Sequence, residues 1–430
     1  MNQFKGLKLK IAKKKAKICI IGLGYVGLPL AVFFGKKGFF VYGLENNPSR
    51  IAKLKKGKRY IIDVDPKETT SLIKKGNFFP TNNEKVLSDS DVIIICVPTP
   101  LRKVKIPDIS YVVAASKTIK KYLRPGQLII LESTSFPTTT REVILPVLKK
   151  TKLKEEKDYF LCFSPERVNP GDSKFPLTKI PKVVGGLTKK STALASDLYS
   201  KIITKIYPVS SPEVAESAKL LENTFRLVNI ALVNEFAIVA NKLGINVWEV
   251  IEAASTKPFG FMPFYPGPGC GGHCIPDDPM YLSWKAKKLG FKTKMIDLAS
   301  YMDHYMPVYV CQRVKDLLKK PMSKSKILIM GVTYKRDVKD LRESPALEII
   351  EYLQDKRAKV SFYDPLIPYL KIDKINLKRA RIIGSLKQYD CVIIVTDHLK
   401  VNYSRLQRKA KLIFDTRNVY KKKYNNVISL

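Results

Sequence analysis

Three observations predict an α/β chain with two sheets of mainly parallel strands and a helical section between them. An apolar strand, KICII (residues 17–21), runs into GLGYVG, an apolar helix through Phe34 and a second strand over residues 39–44. Short apolar strands then recur through the first half of the chain and again after Lys324, each ending in polar or turn-forming residues. From Ser211 to Gly244, apolar residues return at steps of three and four, the period of one long helix. The expected division is therefore residues 1–209, 210–312 and 313–430.

The first element carries the most specific pattern. Glycines at Gly22, Gly24 and Gly27, with Leu23, Tyr25 and Val26 between them, follow a strand and open a helix. Glu45 ends the next strand, about twenty residues on. In such a βαβ unit the glycines permit the tight turn, the approach of a pyrophosphate and close helix packing, while the acid takes the ribose hydroxyls. The N-terminal part is thus read as a Rossmann-type NAD-binding domain. Glu45 favours NAD over NADP, and Arg50, one turn further on, weakens that preference.

Three more strands follow. Residues 92–97 run into Pro98-Thr99-Pro100, residues 128–131 into Glu132-Ser133-Thr134, and residues 160–163 into Ser164-Pro165-Glu166-Arg167. Such ends line the ligand crevice of an open parallel sheet. Thr99, Thr134 and Glu166 are expected on one side of it, although each taken singly also reads as a loop or cap residue.

The long helix has Ser211 as a cap, Pro212 in its first turn and Glu213 at its positive end. Val214, Ala218, Leu221, Phe225, Val228, Leu232, Phe236 and Val239 form its apolar stripe, and Gly244 ends it. This pattern makes it the spine between two domains. Lys219 and Asn223, four apart, share a face away from the stripe and are either a polar surface pair or a functional one. Helices over 247–254 and 280–289 flank GFMPFYPGPGCGGHCIPDDP, residues 260–279. So much Gly and Pro excludes an ordinary helix or strand there. Cys274, with Asp277 and Asp278 behind it, is either a nucleophile for covalent catalysis or an inert thiol in a structural loop.

The last section opens with KILIMG (326–331), then Thr333-Tyr334-Lys335, Leu341-Arg342-Glu343-Ser344 and a helix starting at Pro345. Further strands end in Asp364-Pro365, Thr396-Asp397-His398 and Asp415-Thr416-Arg417. This second, smaller Rossmann-like sheet lacks a complete GxGxxG, so a different ligand is expected. Lys335, Arg342 and Arg417 are either solvated charges or the cations that hold a diphosphate.

Composition narrows the function classes. A hydrophobic content of 45% and a charged content of 27% are those of a soluble globular protein. The most apolar run, residues 18–34, is broken by glycines and a proline, and no secretory signal is recognisable, so neither a membrane span nor export is expected. Seven scattered cysteines imply a reducing, cytoplasmic setting, and three histidines argue against a metal site. The net charge of +39 is spread along the chain apart from a lysine-rich run over residues 8–17. It reads as a solvated surface rather than a nucleic-acid or membrane-binding face, which concentrates its charge on one element.

Taken in order, GLGYVG, VPTP, EST, SPER, AKLLEN, GGHCIPDD, YK, LRES and DTR cover nearly the whole chain. This set resembles the UDP-glucose/GDP-mannose dehydrogenase family, the nucleotide-sugar 6-dehydrogenases. SPERVNPGD and TKPFGFMPFYPGPG look most like members acting on UDP-N-acetylglucosamine and related UDP-N-acetylhexosamines. The resemblance implies oxidation of the sugar's carbon 6 to a carboxylate in two NAD-dependent steps, for polysaccharide synthesis. It implies a C-terminal UDP-binding domain and a homodimer or higher homo-oligomer built on the long helix.

Residue by residue, the resemblance makes Cys274 the nucleophile, Lys219 and Asn223 the pair that stabilises oxyanions, and Asp278 the acid beside the cysteine. Thr134 and Glu166 position water and accept its proton. To the cofactor residues of the GLGYVG segment, Glu45 and Arg50, it adds Pro98, Thr99, Ser133, Thr134 and Arg342. Besides Glu166, Lys219 and Asn223, the substrate set takes in Arg167, Val168, Phe264, Tyr265, Gly271, Tyr334, Lys335 and Arg417. One departure stands out: UDP-glucose enzymes carry a second glutamate four residues after the first, where this chain has Pro170. Arg167 and Asn169 would then reshape that wall of the sugar pocket. UDP-glucose oxidation is the alternative reading. A one-step β-hydroxyacid-type dehydrogenase, which needs no cysteine, is the remote one.

Overall fold

The computed structural model describes residues 2–61, 64–102, 106–168, 177–272, 274–381 and 386–430. It forms two compact units, Met1–Glu222 with Met280–Leu289, and Asn223–Pro279 with Gly290–Leu430.

In the first unit, strands β1 (Ile18–Ile21), β2 (Val41–Leu44), β3 (Phe78–Thr81), β4 (Val92–Ile95), β5 (Gln127–Leu131), β6 (Tyr159–Phe163), β7 (Lys182–Gly186) and β8 (Ile206–Val209) make one sheet. Their order is β3-β2-β1-β4-β5-β6-β7-β8. The first six are parallel and wound outward from β1 and β4, the arrangement whose switch point binds dinucleotides. The expected parallel sheet is extended by two strands the sequence did not reveal: β7 pairs antiparallel with β6, and β8 runs parallel to β7. Strand β1 is buried at all four positions because both sheet faces are covered. Its residues alternate: Ile18 and Ile20 enter one core with Leu30 and Phe34, and Cys19 and Ile21 enter the other with Val112 and Ile144.

The lysine-rich N-terminus is not wholly a solvated run. Gln3–Ala12 is a helix capped by Asn2, and it buries Leu7 and Ile11 in the first core. Lys10 pairs with Asp91 at 2.7 Å and Lys17 with Asp89 at 2.8 Å.

In the second unit, β9 (Lys326–Met330), β10 (Lys359–Tyr363), β13 (Cys391–Ile394), β14 (Ile413–Asp415) and β15 (Val427–Ser429) form a parallel sheet of order β10-β9-β13-β14-β15. A hairpin, β11 (Tyr369–Ile372) with β12 (Ile375–Lys378), stands apart from it. Alternation again splits the strands: Ile327 and Ile329 pack with Val314 and Ile350, and Leu328 and Met330 with Leu406 and Ile413.

The long helix, Pro212–Leu243, runs as one element, and Gly244 follows it at φ +71°, as expected. Of the predicted stripe it partly buries Val228 and Phe236, which pack against core residues, and leaves most of the rest outside. Val214, Leu221, Phe225, Leu232 and Val239 are exposed, Leu221 by 64% and Leu232 by 63%. The buried seam is Ala215, Glu216, Lys219, Leu220, Leu227, Ala231, Asn234, Ala237 and Ala240. Small alanines beside a few polar residues give a weak apolar signal, so the larger residues on another face dominate the periodicity. A helix apolar on two faces needs two partners.

Candidate active site

The dinucleotide-binding residues lie in the first unit. Gly22 turns the chain at φ +93°, and a Cβ there would meet the Cys96 carbonyl oxygen at 2.7 Å. A Cβ on Gly27 would lie 1.9 Å from the Gly22 oxygen, so only glycine lets the helix start this close to the strand. A Cβ on Gly24 would meet no protein atom within 4 Å, leaving open the place where a pyrophosphate approaches. The helix Gly27–Lys36 has no side-chain cap; the Leu28 N–H donates to the Gly24 carbonyl at 3.1 Å, and Pro29 has no N–H to offer.

Glu45 is buried. Its Oε1 accepts the Asn47 N–H at 3.0 Å, and its Oε2 accepts the Leu23 N–H and the Arg50 Nη1, both at 3.1 Å. Arg50 also lies over the Tyr60 ring, and the Tyr60 hydroxyl donates to the Leu23 carbonyl at 2.9 Å. The acid therefore braces the glycine turn, and Tyr60 is a contributor that nothing in the sequence pattern marked. These features fit NAD: a glycine cradle at the start of a helix and a carboxylate whose charge repels a 2′-phosphate.

Strands β4, β5 and β6 end at the same edge, as expected. Pro98 is exposed and Thr99 buried, with the Thr99 carbonyl accepting the Tyr281 hydroxyl. The Ser133 hydroxyl donates to the Val97 carbonyl at 2.7 Å, and Thr134 is half-buried. Glu166 Oε1 accepts the N–H groups of Arg167 and Val168, each at 2.7 Å. The Arg167 guanidinium forks onto Glu222, with Nη2 to Oε1 at 2.6 Å and Nε to Oε2 at 3.1 Å. Asn169 and Pro170 lie outside the described residues.

Lys219 is buried, 9% exposed, and in no ion pair among the described residues. The surface-pair alternative therefore fails for this lysine. A buried cation without a carboxylate is costly unless a negative group arrives in function.

The second unit holds the Cys274 thiol. The helix expected from Met280 begins at Cys274 and runs to Lys288. Proline tolerates first-turn positions because no N–H is needed there, so Pro276 sits inside the element it was expected to exclude. Cys274 thus stands, exposed, at a helix N-terminus, where the dipole favours an anionic sulfur. Asp278, one turn on, is fully buried and accepts from the Asn223 side-chain amide.

The Gly/Pro loop ahead of Cys274 is anchored by residues the sequence did not flag. Asn234 accepts the Gly267 N–H at 2.9 Å, and Asp303 accepts the Cys270 N–H at 2.6 Å. The Arg342 carbonyl accepts the Gly272 N–H at 2.9 Å. Asn234 lies in the long helix and Asp303 in the helix Lys294–Leu318, each a buried polar residue among apolar helical neighbours. A Cβ on Gly271 would strike Tyr334 at 2.5 Å and the Glu343 carbonyl at 2.6 Å, and one on Gly267 would strike the Arg417 guanidinium at 2.7 Å.

Gly271, Tyr334 and Arg417 are therefore gathered around this loop. The Arg417 Nε donates to the Val395 carbonyl at 2.7 Å, and burial pulls its proton affinity down to about 10. Lys335 is half-buried, while the exposed Arg342 side chain forks onto Asp340. Phe264 and Tyr265 pack elsewhere, Phe264 edge-on to Phe225 and Tyr265 stacked on Trp248 with ring centres 5.8 Å apart in each pair.

Models of three domains match in chain order. They are the NAD binding domain of the UDP-glucose/GDP-mannose dehydrogenase family over residues 16–203, its central domain over 213–305 and its UDP binding domain over 328–422. The chain is 41% identical over 359 residues to the UDP-N-acetyl-D-glucosamine 6-dehydrogenase of Pseudomonas aeruginosa, covering 82% of this chain and 84% of that one. It is 37% identical over 418 residues to a UDP-N-acetyl-D-mannosamine dehydrogenase of Methanococcus maripaludis, covering 94% and 93%. The solved UDP-D-ManNAc dehydrogenase from Pyrococcus horikoshii has a TM-score of 0.86 at 32% identity, covering 96% of this chain and 98% of that one.

Proposed function

The chain belongs to the UDP-glucose/GDP-mannose dehydrogenase family, and from that we propose that it oxidises carbon 6 of a UDP-N-acetylhexosamine to the carboxylate through a thioester on Cys274. NAD, when bound, supplies the hydride acceptor for each of the two oxidations. The observation that carries the reading is the thiol itself, exposed at a helix start behind a glycine-tight loop, because a one-step alcohol dehydrogenase has no use for it.

In this mechanism Lys219 and Asn223 hold the sugar oxygen as it gains negative charge. Cys274 Sγ adds to the aldehyde carbon, giving a tetrahedral species from which the second hydride can leave. The resulting thioester is hydrolysed: Glu166 takes a proton from water, the water oxygen bonds to the carbonyl carbon, and the carbon–sulfur bond breaks. The sulfur leaves as thiolate and the proton is returned to it. Asp278, tied to Asn223, orients that amide, and Thr134 positions the water. Tyr334, Lys335 and Arg417 bind the UDP portion. The functional domains are proposed at residues 1–209, 210–312 and 313–430.

The named relatives act, by their names, on UDP-N-acetylglucosamine and UDP-N-acetylmannosamine. Pro170 stands where UDP-glucose enzymes carry a glutamate. Higher kcat/KM is therefore expected for a UDP-N-acetylhexosamine than for UDP-glucose, with GDP-mannose poor. A side-by-side assay counting NADH and weighing the product checks this, and a faster UDP-glucose reaction at low concentration overturns it.

No helix among the described residues is long and apolar enough to cross a membrane. The reaction is assigned to the cytoplasm, which suits seven thiols, and cell fractionation tests the assignment. We also propose a homodimer packed through the exposed stripe of the long helix. Leu232→Glu is expected to shift the sedimentation of the purified enzyme from dimer to monomer, and an unchanged dimer rejects this interface.

A further inference from the structure

Behind Glu166, inside the first unit, lies a line of buried charge that the mechanism above does not use. With Glu166 Oε1 occupied by two backbone N–H groups, Oε2 is the oxygen left to act on water. The Lys182 ammonium, on β7, lies 3.6 Å from that oxygen. The same ammonium lies 3.0 Å from Glu132 Oε1, just past the end of β5. The Tyr199 hydroxyl donates to Glu132 Oε1, and the ammonium sits 5.0 Å from the Tyr199 ring centre. Side-chain exposure is 5% for Lys182, 0% for Glu132 and 15% for Glu166.

Other titratable groups near this line, among the described residues, do not offer a second cation. Cys96 contributes a buried thiol, pushed well up by burial and then by Glu132. Arg167 is turned to Glu222 and to the Pro181 carbonyl. Burial works against the Lys182 charge, but Glu132 and then Glu166 outweigh it, so its hold on the proton is raised. Burial pushes the Glu132 carboxyl up against the pull of Lys182.

Two carboxylates thus divide one ammonium. A lysine absent would leave two buried acids competing to stay neutral. We propose that Lys182 is a positioning residue for thioester hydrolysis: its ammonium, shared with Glu132, aims Glu166 Oε2 at the water and sets the local charge that this oxygen meets. This rests on the reading of Glu166 as the hydrolytic base. The relay itself forms and breaks no covalent bond beyond the proton transfer from water to Glu166.

The test is a single turnover of the full-length enzyme with NAD and the best UDP-sugar, followed across pH. NADH formation is read by absorbance and acid release by chemical quench. Lys182→Met is expected to retain NADH formation but to move the acid limb of acid release upward by about one pH unit or more, the scale of losing an opposite charge at this distance. Glu132→Gln is expected to move that limb downward and to lower its plateau, because Lys182 then bears on Glu166 alone. Lys182→Arg is expected to return the limb toward the wild-type position.

A purely structural lysine gives a lower melting temperature with the limb unmoved in Lys182→Met and Glu132→Gln, and that result overturns the inference. If Lys182→Met does not accumulate as folded protein, the downward shift in Glu132→Gln decides alone. Glu166→Gln separates the two levels of the argument. If it leaves acid release unchanged, the base assignment falls and the inference with it. If it stalls acid release while the other variants keep the wild-type limb, the base assignment stands and the Lys182 inference falls.

Discussion

Cys274→Ser is expected to abolish multiple-turnover NADH production, by on the order of 1,000-fold or more, the scale on which loss of a covalent nucleophile registers. The reason lies in what each half of the reaction needs. The first oxidation asks only for a bound alcohol, a hydride acceptor and a place for the proton. The second needs a tetrahedral species at a carbon that has become an aldehyde, then an acyl group that water can displace. Sulfur at a helix N-terminus supplies both. A serine oxygen can add to the aldehyde, but it is not ionised there at neutral pH, and its ester resists hydrolysis far more than a thioester does. NAD and UDP-sugar binding should persist in the variant, and intact mass after mixing should reveal sugar retained on the protein. Turnover at the wild-type rate, with two NADH per sugar, would make the Gly/Pro loop a structural feature and undo the thioester reading.

Lys219→Met is expected to lower kcat by about 100- to 1,000-fold, the cost of removing one preorganised donor to a developing oxyanion. Methionine keeps the length and much of the volume of the side chain, so the buried seam of the long helix stays filled. What is lost is the charge. Because that charge is buried without a carboxylate among the described residues, its interaction with an alkoxide is weakly screened and grows as the reaction proceeds. The effect should appear in kcat far more than in the affinity for NAD, which fluorescence titration measures separately. A loss of only a few-fold, or an equal loss in NAD affinity, would assign Lys219 to helix packing.

Legibility of the fold followed burial. Strand β1 and its glycine turn were readable because every residue there answers to one local demand: apolar on both faces, glycine where a Cβ collides, acid where a ribose sits. Strands β7 and β8 were missed because LTKIPKVVGG and ITKIYPVS mix lysine and proline with short apolar pieces. Lys182 lies in one of them, buried only because two distant acids receive it. The long helix is legible but its faces are not, since periodicity detects bulk and the buried seam mixes alanine with polar residues such as Glu216, Lys219 and Asn234. At the thiol, the prolines hide a helix start that Pro276 suits, although Pro279 lies further inside the same helix. Asn234 and Asp303 hold the loop through single hydrogen bonds from residues thirty-three positions away in each case, a distance at which local patterns are silent.

The outward stripe of the long helix carries a thermodynamic consequence. If it is covered by a second copy, every Leu221 and Phe225 removed from water adds to the stability of the pair and nothing to that of the single chain. Folding and association then share one equilibrium, so the melting temperature rises with the logarithm of protein concentration. Lys219 rides on that same helix, two residues before the stripe's Leu221. Dilution would therefore loosen the element that carries a reacting group, and the specific activity of each molecule would depend on how many others are present.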